Sequence, residues 1–192
     1  MKIIKTAKAW EWEAHFYRAP LQAHAVLGPI IETGSSLSRV YDHTKNNNIG
    51  CITAWRGGKK ANEEQRRLNN QNFKELKTAI RNAGFGYIKI KGRYIENKGT
   101  ELEENVDEEV ALIVGDSTEE GKKKLKTLLI KWGAKYEQDS VLFKGYDDKQ
   151  AHLIYTSGKD KGKVETVGTW HPNKIGDFFS VMKNGSTFVF AQ

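Results

Sequence analysis

Between Gly84 and Gly115 the chain carries two apolar runs that are best satisfied lying side by side. The first, GFGYIKIKGRYIE, sets Phe85, Tyr87, Ile88, Ile90, Tyr94 and Ile95 against Lys89, Lys91 and Arg93, the β-branched and aromatic mixture of a strand. The second opens on Glu108-Glu109 and runs through Val110-Ala111-Leu112-Ile113-Val114, a continuous apolar segment suited to a buried strand. The loop between them is acidic, with Glu101, Glu103, Glu104 and Asp107. A carboxylate at the mouth of a buried strand costs solvation energy unless it has a partner or a task. Side chains alternate along a strand, so one of Glu108 and Glu109 can face solvent while the other turns into a cleft near Tyr94.

The elements around this pair fall into a regular order. IGCITAWR, residues 49–56, reads as a first strand closed by Gly57-Gly58. From about Asn62 to Asn82, Leu68, Phe73, Leu76, Ile80 and Ala83 recur at near-helical spacing, with Gly84 as a C-cap candidate. After the two central strands, Ser117 with Glu120 three residues on has the form of a capping box. Leu125, Leu128, Leu129 and Trp132 then form one apolar stripe, Gly133 closes the helix, and residues 139–146 (DSVLFKGY) read as a fourth strand. This order, β-α-β-β-α-β, predicts an α+β, ferredoxin-like sheet with both helices on one face. AHLIYTSG, KVETVGTW and STFVFAQ add C-terminal strands that extend the sheet or pair across an oligomer. An open second face calls for cover by another subunit.

Two units are expected: an arm over residues 1–48 and a catalytic domain over 49–192. The arm holds Trp10, Trp12, Phe16, Tyr17 and Tyr41 with Pro20 and Gly28-Pro29 as punctuation, and residues 6–18 read as a short helix. So many aromatics imply packing on the body or on a neighbouring subunit. The net charge of +7 suits anionic surroundings without naming a partner. The single Cys51 excludes an internal disulfide framework and points to a reducing cytoplasm. No apolar run approaches the ~18 residues of a membrane span, and the charged N-terminus lacks a signal-peptide core.

Three tempting motifs lose to simpler readings. Gly84-Phe85-Gly86-Tyr87-Ile88-Lys89-Ile90 resembles an RNA-recognition strand, but Ala83 stands where a basic residue belongs, Ile90 replaces an aromatic, and the segment falls on the second strand rather than the third. Gly115 to Lys123 has the outline of a phosphate loop but places Glu119 and Glu120 where phosphates would sit. His15, His24, His43, His152 and His171 lack paired ligand spacing, so no metal is expected. The lysines of the second helix read as a solvated face, and nucleic acid is disfavoured as a partner.

The order of short segments resembles the bacteriophage enzymes that degrade S-adenosylmethionine, once called hydrolases and now described as lyases. The segments are ITAWR, the Asn-rich helix ending in AIRNAGFGY, Gly92-Arg93-Tyr94-Ile95-Glu96, paired Glu108-Glu109, Glu137-Gln138-Asp139-Ser140-Val141-Leu142, and AHLIY before a Gly-bearing turn. Two departures stand out: the N-terminal arm, and a longer loop between Tyr94 and Glu109. The resemblance implies a homotrimer like the PII signalling proteins, with active sites between subunits. It places the catalytic Tyr and Glu on Tyr94 and Glu109, with Glu108 as the alternative register, and makes Arg56 and Gln138 secondary candidates for substrate contact. The implied reaction needs no cofactor: the substrate's carboxylate attacks its γ-carbon, methylthioadenosine leaves and homoserine lactone forms. Loss of the methyl donor would counter methyl-dependent host defence. The alternatives are a lyase acting on a nucleotide-conjugated S-adenosylmethionine, and a non-catalytic PII-like or RNA-binding trimer.

Overall fold

A computed structural model describes residues 36–58, 61–96, 101, 104–174 and 178–191. The helix expected near residues 6–18 lies outside them. The elements in chain order are α1 (Leu37–Asn46), β1 (Ile49–Thr53), α2 (Glu63–Asn82), β2 (Gly86–Glu96), β3 (Glu104–Val114), α3 (Glu119–Lys135), β4 (Ser140–Lys144), β5 (Ala151–Tyr155), β6 (Val164–Pro172), β7 (Phe178–Val181) and β8 (Thr187–Ala191).

The strands close into an antiparallel barrel in the order β1-β3-β2-β7-β8-β6-β5-β4. This overturns the expected open ferredoxin-like, PII-like sheet. β4, β1, β3 and β2 are neighbours, but the tail strands do not stop at extending an edge. They run from β4 through β5, β6, β8 and β7 until β7 pairs with β2, Gly92 opposite Ser180. Closure removes the sheet's free edges. It also changes what covers the second face: the chain's own far wall does so, where the open sheet called for another subunit.

Alternation along the strands supplies two cores. Ile52, Ala111, Ile113, Tyr87, Val141 and Phe143 point outward beneath α2 and α3, where Phe73, Leu76, Ile80, Leu125, Leu129 and Trp132 meet them. Ile49, Leu112, Ile88 and Ile90 point inward and meet Ala151, Met182, Phe188, Phe190 and Val40 of α1. A bulge between Ala151 and His152 shifts the register of β5, and Ile154 joins the helix-side core.

The helix ends differ in detail from expectation. α2 ends as foreseen at Gly84, whose φ is +87°. Gly84 N–H donates to Arg81 O at 2.9 Å and Phe85 N–H to Ile80 O at 3.1 Å, a Schellman closure. Leu68 is exposed rather than part of the buried stripe. Asn69 is buried beside it, its amide bracketing the Arg56 backbone by accepting from N–H at 3.1 Å and donating to O at 2.9 Å. α3 is capped by Thr118, which accepts from Gly121 N–H, so the capping box based on Ser117 does not form. Nor does Gly133 end that helix. It sits inside the helix, where a Cβ would lie 2.8 Å from the side chain of Thr156, the residue after β5.

One polar junction ties the barrel's end together. Asn48 is wholly buried. Its amide donates to Asp116 O at 2.6 Å and Thr118 O at 3.0 Å, and its Oδ1 accepts from Tyr146 N–H at 2.9 Å. The α1–β1, β3–α3 and β4–β5 connections therefore meet on one side chain.

Candidate active site on the inner face of the barrel

β2 and β3 pair in unbroken register, with Tyr94 opposite Val106, Gly92 opposite Glu108 and Lys91 opposite Glu109. Val106, Glu108, Val110 and Leu112 share one face of β3 by alternation, and Leu112 and Val110 belong to the inner core. Tyr94 shares that face with Ile88 and Ile90 of β2. Glu108 and Tyr94 thus meet on the inner wall, where the Tyr94 hydroxyl donates to Glu108 Oε1 at 2.9 Å. Glu108 is only 9% exposed, whereas Tyr94 and Gly92 are half-buried. The site is therefore accessible from one end and dry at the carboxylate.

Glu109 points to the other face. Its carboxylate forms an ion pair with Lys89, and its backbone O accepts from the Thr53 hydroxyl at 2.8 Å. Lys77 of α2 lies close to the same pair. Burial lowers its pKa from the ordinary value, with the charge of Lys89 adding to the effect and that of Glu109 opposing it. Beside Glu108, Arg93 clasps Asp107 on the outward face through contacts of 2.5 and 2.8 Å, and that carboxylate raises the Arg93 pKa.

The two remaining sequence candidates stand apart from Tyr94 and Glu108. The Arg56 guanidinium donates to Glu137 O. Gln138 is buried and donates to Tyr136 O at 2.9 Å and Trp55 O at 3.2 Å. Together they latch the segment after β1 to the segment before β4. Of the five sequence candidates, then, the fold brings Tyr94 and Glu108 together on the inner face, holds Glu109 behind them, and gives Arg56 and Gln138 backbone partners.

The sequence shows Gly92 only as the first residue of the segment that holds Tyr94, with no role of its own. Directly across from Glu108, it projects no side chain onto the inner face, and a Cβ there would come 2.8 Å from Val110 Cγ2. The Val110 methyl fills that space, so Gly92 lets the β3 side chain pack close beside the carboxylate. Its signal was a glycine interrupting an otherwise substituted strand, which marks close approach by a backbone or ligand.

The arrangement can hold a cation. A dry carboxylate oriented by a phenol offers a strong acceptor to a positively charged centre. Among the described residues no three His, Cys, Asp or Glu side chains gather as metal ligands would, and no helix is long and apolar enough to cross a membrane. A protein-family model described as the S-Adenosylmethionine lyase family matches residues 50–191. No curated protein matches the chain.

Proposed function

The chain belongs to the S-adenosylmethionine lyase family, and on that premise we propose that it splits S-adenosylmethionine internally into methylthioadenosine and homoserine lactone. The Tyr94–Glu108 contact on the inner face carries this reading. The substrate holds a carboxylate and a sulfonium on one short chain. When a carboxylate oxygen bonds to the γ-carbon, the carbon–sulfur bond breaks and its electron pair leaves on sulfur. Two opposite charges vanish in that step, so a site that replaces water with fixed dipoles and folds the chain lowers the barrier.

In this reading Glu108 holds the cationic part of the substrate and Tyr94 fixes the carboxylate's orientation. Glu108 takes this role in place of Glu109 because only Glu108 shares a face with Tyr94. Arg56 and Gln138 support the fold from behind. The proposal extends to a homotrimer in which a second copy covers the half-buried end around Tyr94 and Gly92, and to depletion of the methyl donor used by host defence.

The test is direct. Purified protein incubated with S-adenosylmethionine should release methylthioadenosine and homoserine lactone, identified by mass spectrometry. Glu108→Gln should lose the reaction by about a hundredfold or more, and Tyr94→Phe should weaken it. Full turnover by Glu108→Gln with loss in Glu109→Gln would move the site to the helix side of β3. Absence of turnover, whether the substrate is free or nucleotide-conjugated, would defeat the proposal.

A further inference from the structure

The inner wall carries one more polar side chain on the rung of Glu108. Gly92 is paired with Glu108 on one side and with Ser180 of β7 on the other. Directly paired residues in an antiparallel ladder project to the same face, so Ser180 stands on the inner wall with Glu108. Its neighbours confirm the parity: Met182, two residues on, and Phe188, its partner on β8, both belong to the inner core. The strands bearing Glu108 and Ser180 lie two spacings apart, about 9–10 Å, with Gly92 between them and the Val110 methyl packed over it. Ser180 is half-buried, and its hydroxyl has no hydrogen-bond partner among the described residues.

We infer that Ser180 is a substrate-positioning residue whose hydroxyl donates to the carboxylate of S-adenosylmethionine. This rests on the reaction proposed above. The rung is then polar at both ends and apolar between them, which suits the aminoacyl end of the substrate: cationic at Glu108, anionic at Ser180. The donor's neutrality matters. An arginine or lysine would hold the carboxylate more firmly but would stabilise the charge that must be spent in bonding to carbon. A hydroxyl orients the oxygen and leaves it nucleophilic. No proton is transferred and no co-reactant is needed, because the new carbon–oxygen bond and the departing sulfur account for both electron pairs.

The experiment compares Ser180→Ala, Ser180→Thr and the unaltered chain by steady-state release of methylthioadenosine. If the hydroxyl orients the nucleophile, Ser180→Ala lowers kcat by about ten- to a hundredfold, the size of one hydrogen bond to a charged group. Most of the loss lies in kcat rather than KM, because the adenosyl group still binds. Ser180→Thr, which keeps the hydroxyl, restores at least a third of the rate, and the urea midpoints of all three proteins coincide. A structural role would move those midpoints and would not divide kcat from KM. If the unaltered chain turns over substrate and Ser180→Ala stays within twofold of it, the role of Ser180 is refuted while the reaction stands. If the unaltered chain releases no methylthioadenosine, the reaction falls and this inference with it.

Discussion

Replacing Asn48 should cost this protein more than its single side chain suggests. Asn48→Ala removes two amide contacts to Asp116 O and Thr118 O and one acceptor for Tyr146 N–H, all around a wholly buried residue. A hydrogen bond contributes about 1 kcal/mol net, and a buried group left without its partner costs about 1–3 kcal/mol. The backbone groups are part-buried, so water recovers some of that cost, and we expect a loss of about 3–4 kcal/mol. Against a total stability of about 5–15 kcal/mol, that is a large fraction. Asn48→Asp sharpens the test. It keeps an acceptor for Tyr146 but sets a buried carboxylate oxygen against two carbonyls, so at pH 7 it should be less stable than Asn48→Ala. The folded-state pKa of that new carboxyl would be raised. Its penalty should therefore shrink as pH falls through the folded value, when the protonated acid can donate. Urea unfolding monitored by tryptophan fluorescence reads both variants, with the midpoint moving at constant slope. A cost below about 1 kcal/mol for Asn48→Ala, or an aspartate more stable than alanine at pH 7, would refute the reasoning. The junction lies beyond the opposite end of β3 from Glu108, so folded Asn48→Ala should keep its rate of substrate cleavage.

Three further outcomes are expected. Gly50→Ala would place a Cβ 2.5 Å from Leu129 Cδ1; it should destabilise by about 1–3 kcal/mol through overpacking, and Leu129→Ala in the same chain should recover part of that loss in a double-mutant cycle. Burial pushes the Cys51 thiol up to about 12, so it should react with a thiol reagent slowly at pH 8 and rapidly once urea unfolds the chain. Burial also lowers the His43 pKa below its ordinary 6.5; the unfolded chain then takes up the proton first, and stability should fall as pH drops from 6.5 towards the folded value. His43→Gln should flatten that part of the urea-midpoint profile.

The parts of the fold legible in the sequence were those with local periodicity. The paired runs at 86–96 and 108–114, the stripe of α2 and the turn at Gly84 each carry their own pattern, and the structure places a strand, a helix or a cap at each. Closure was not legible, because it depends on where a distant tail arrives. The Asn184-Gly185 turn announces a hairpin between the short Phe178–Val181 strand and β8, but nothing local says that this strand also pairs with β2 and completes the ring. α1 was hidden for a different reason: with Val40 and Thr44 as its buried residues, its apolar face is too narrow to stand out. At the site, alternation showed that Glu108 and Glu109 must face opposite ways, but choosing between them needed the hairpin register. An acidic loop of unknown geometry between Tyr94 and Glu108 leaves that register unspecified. Once Tyr94 is set opposite Val106, the parity follows at once, and Gly92 and Ser180 come with it.

The ring is shut by one of its weakest staves. β7 holds on to β2 through Lys91 to Tyr94 and to β8 through Ser180, Val181 and the Met182 N–H bond to Ser186 O at the turn, whereas β2 and β3 are zipped along their whole length. Local opening draws on the regions with the fewest contacts, so the seam can part while both cores stay packed. A ligand lying between Glu108 and Ser180 would bridge that seam like a rivet, and amide exchange at Ser180 and Val181 would slow on loading before any other strand responded.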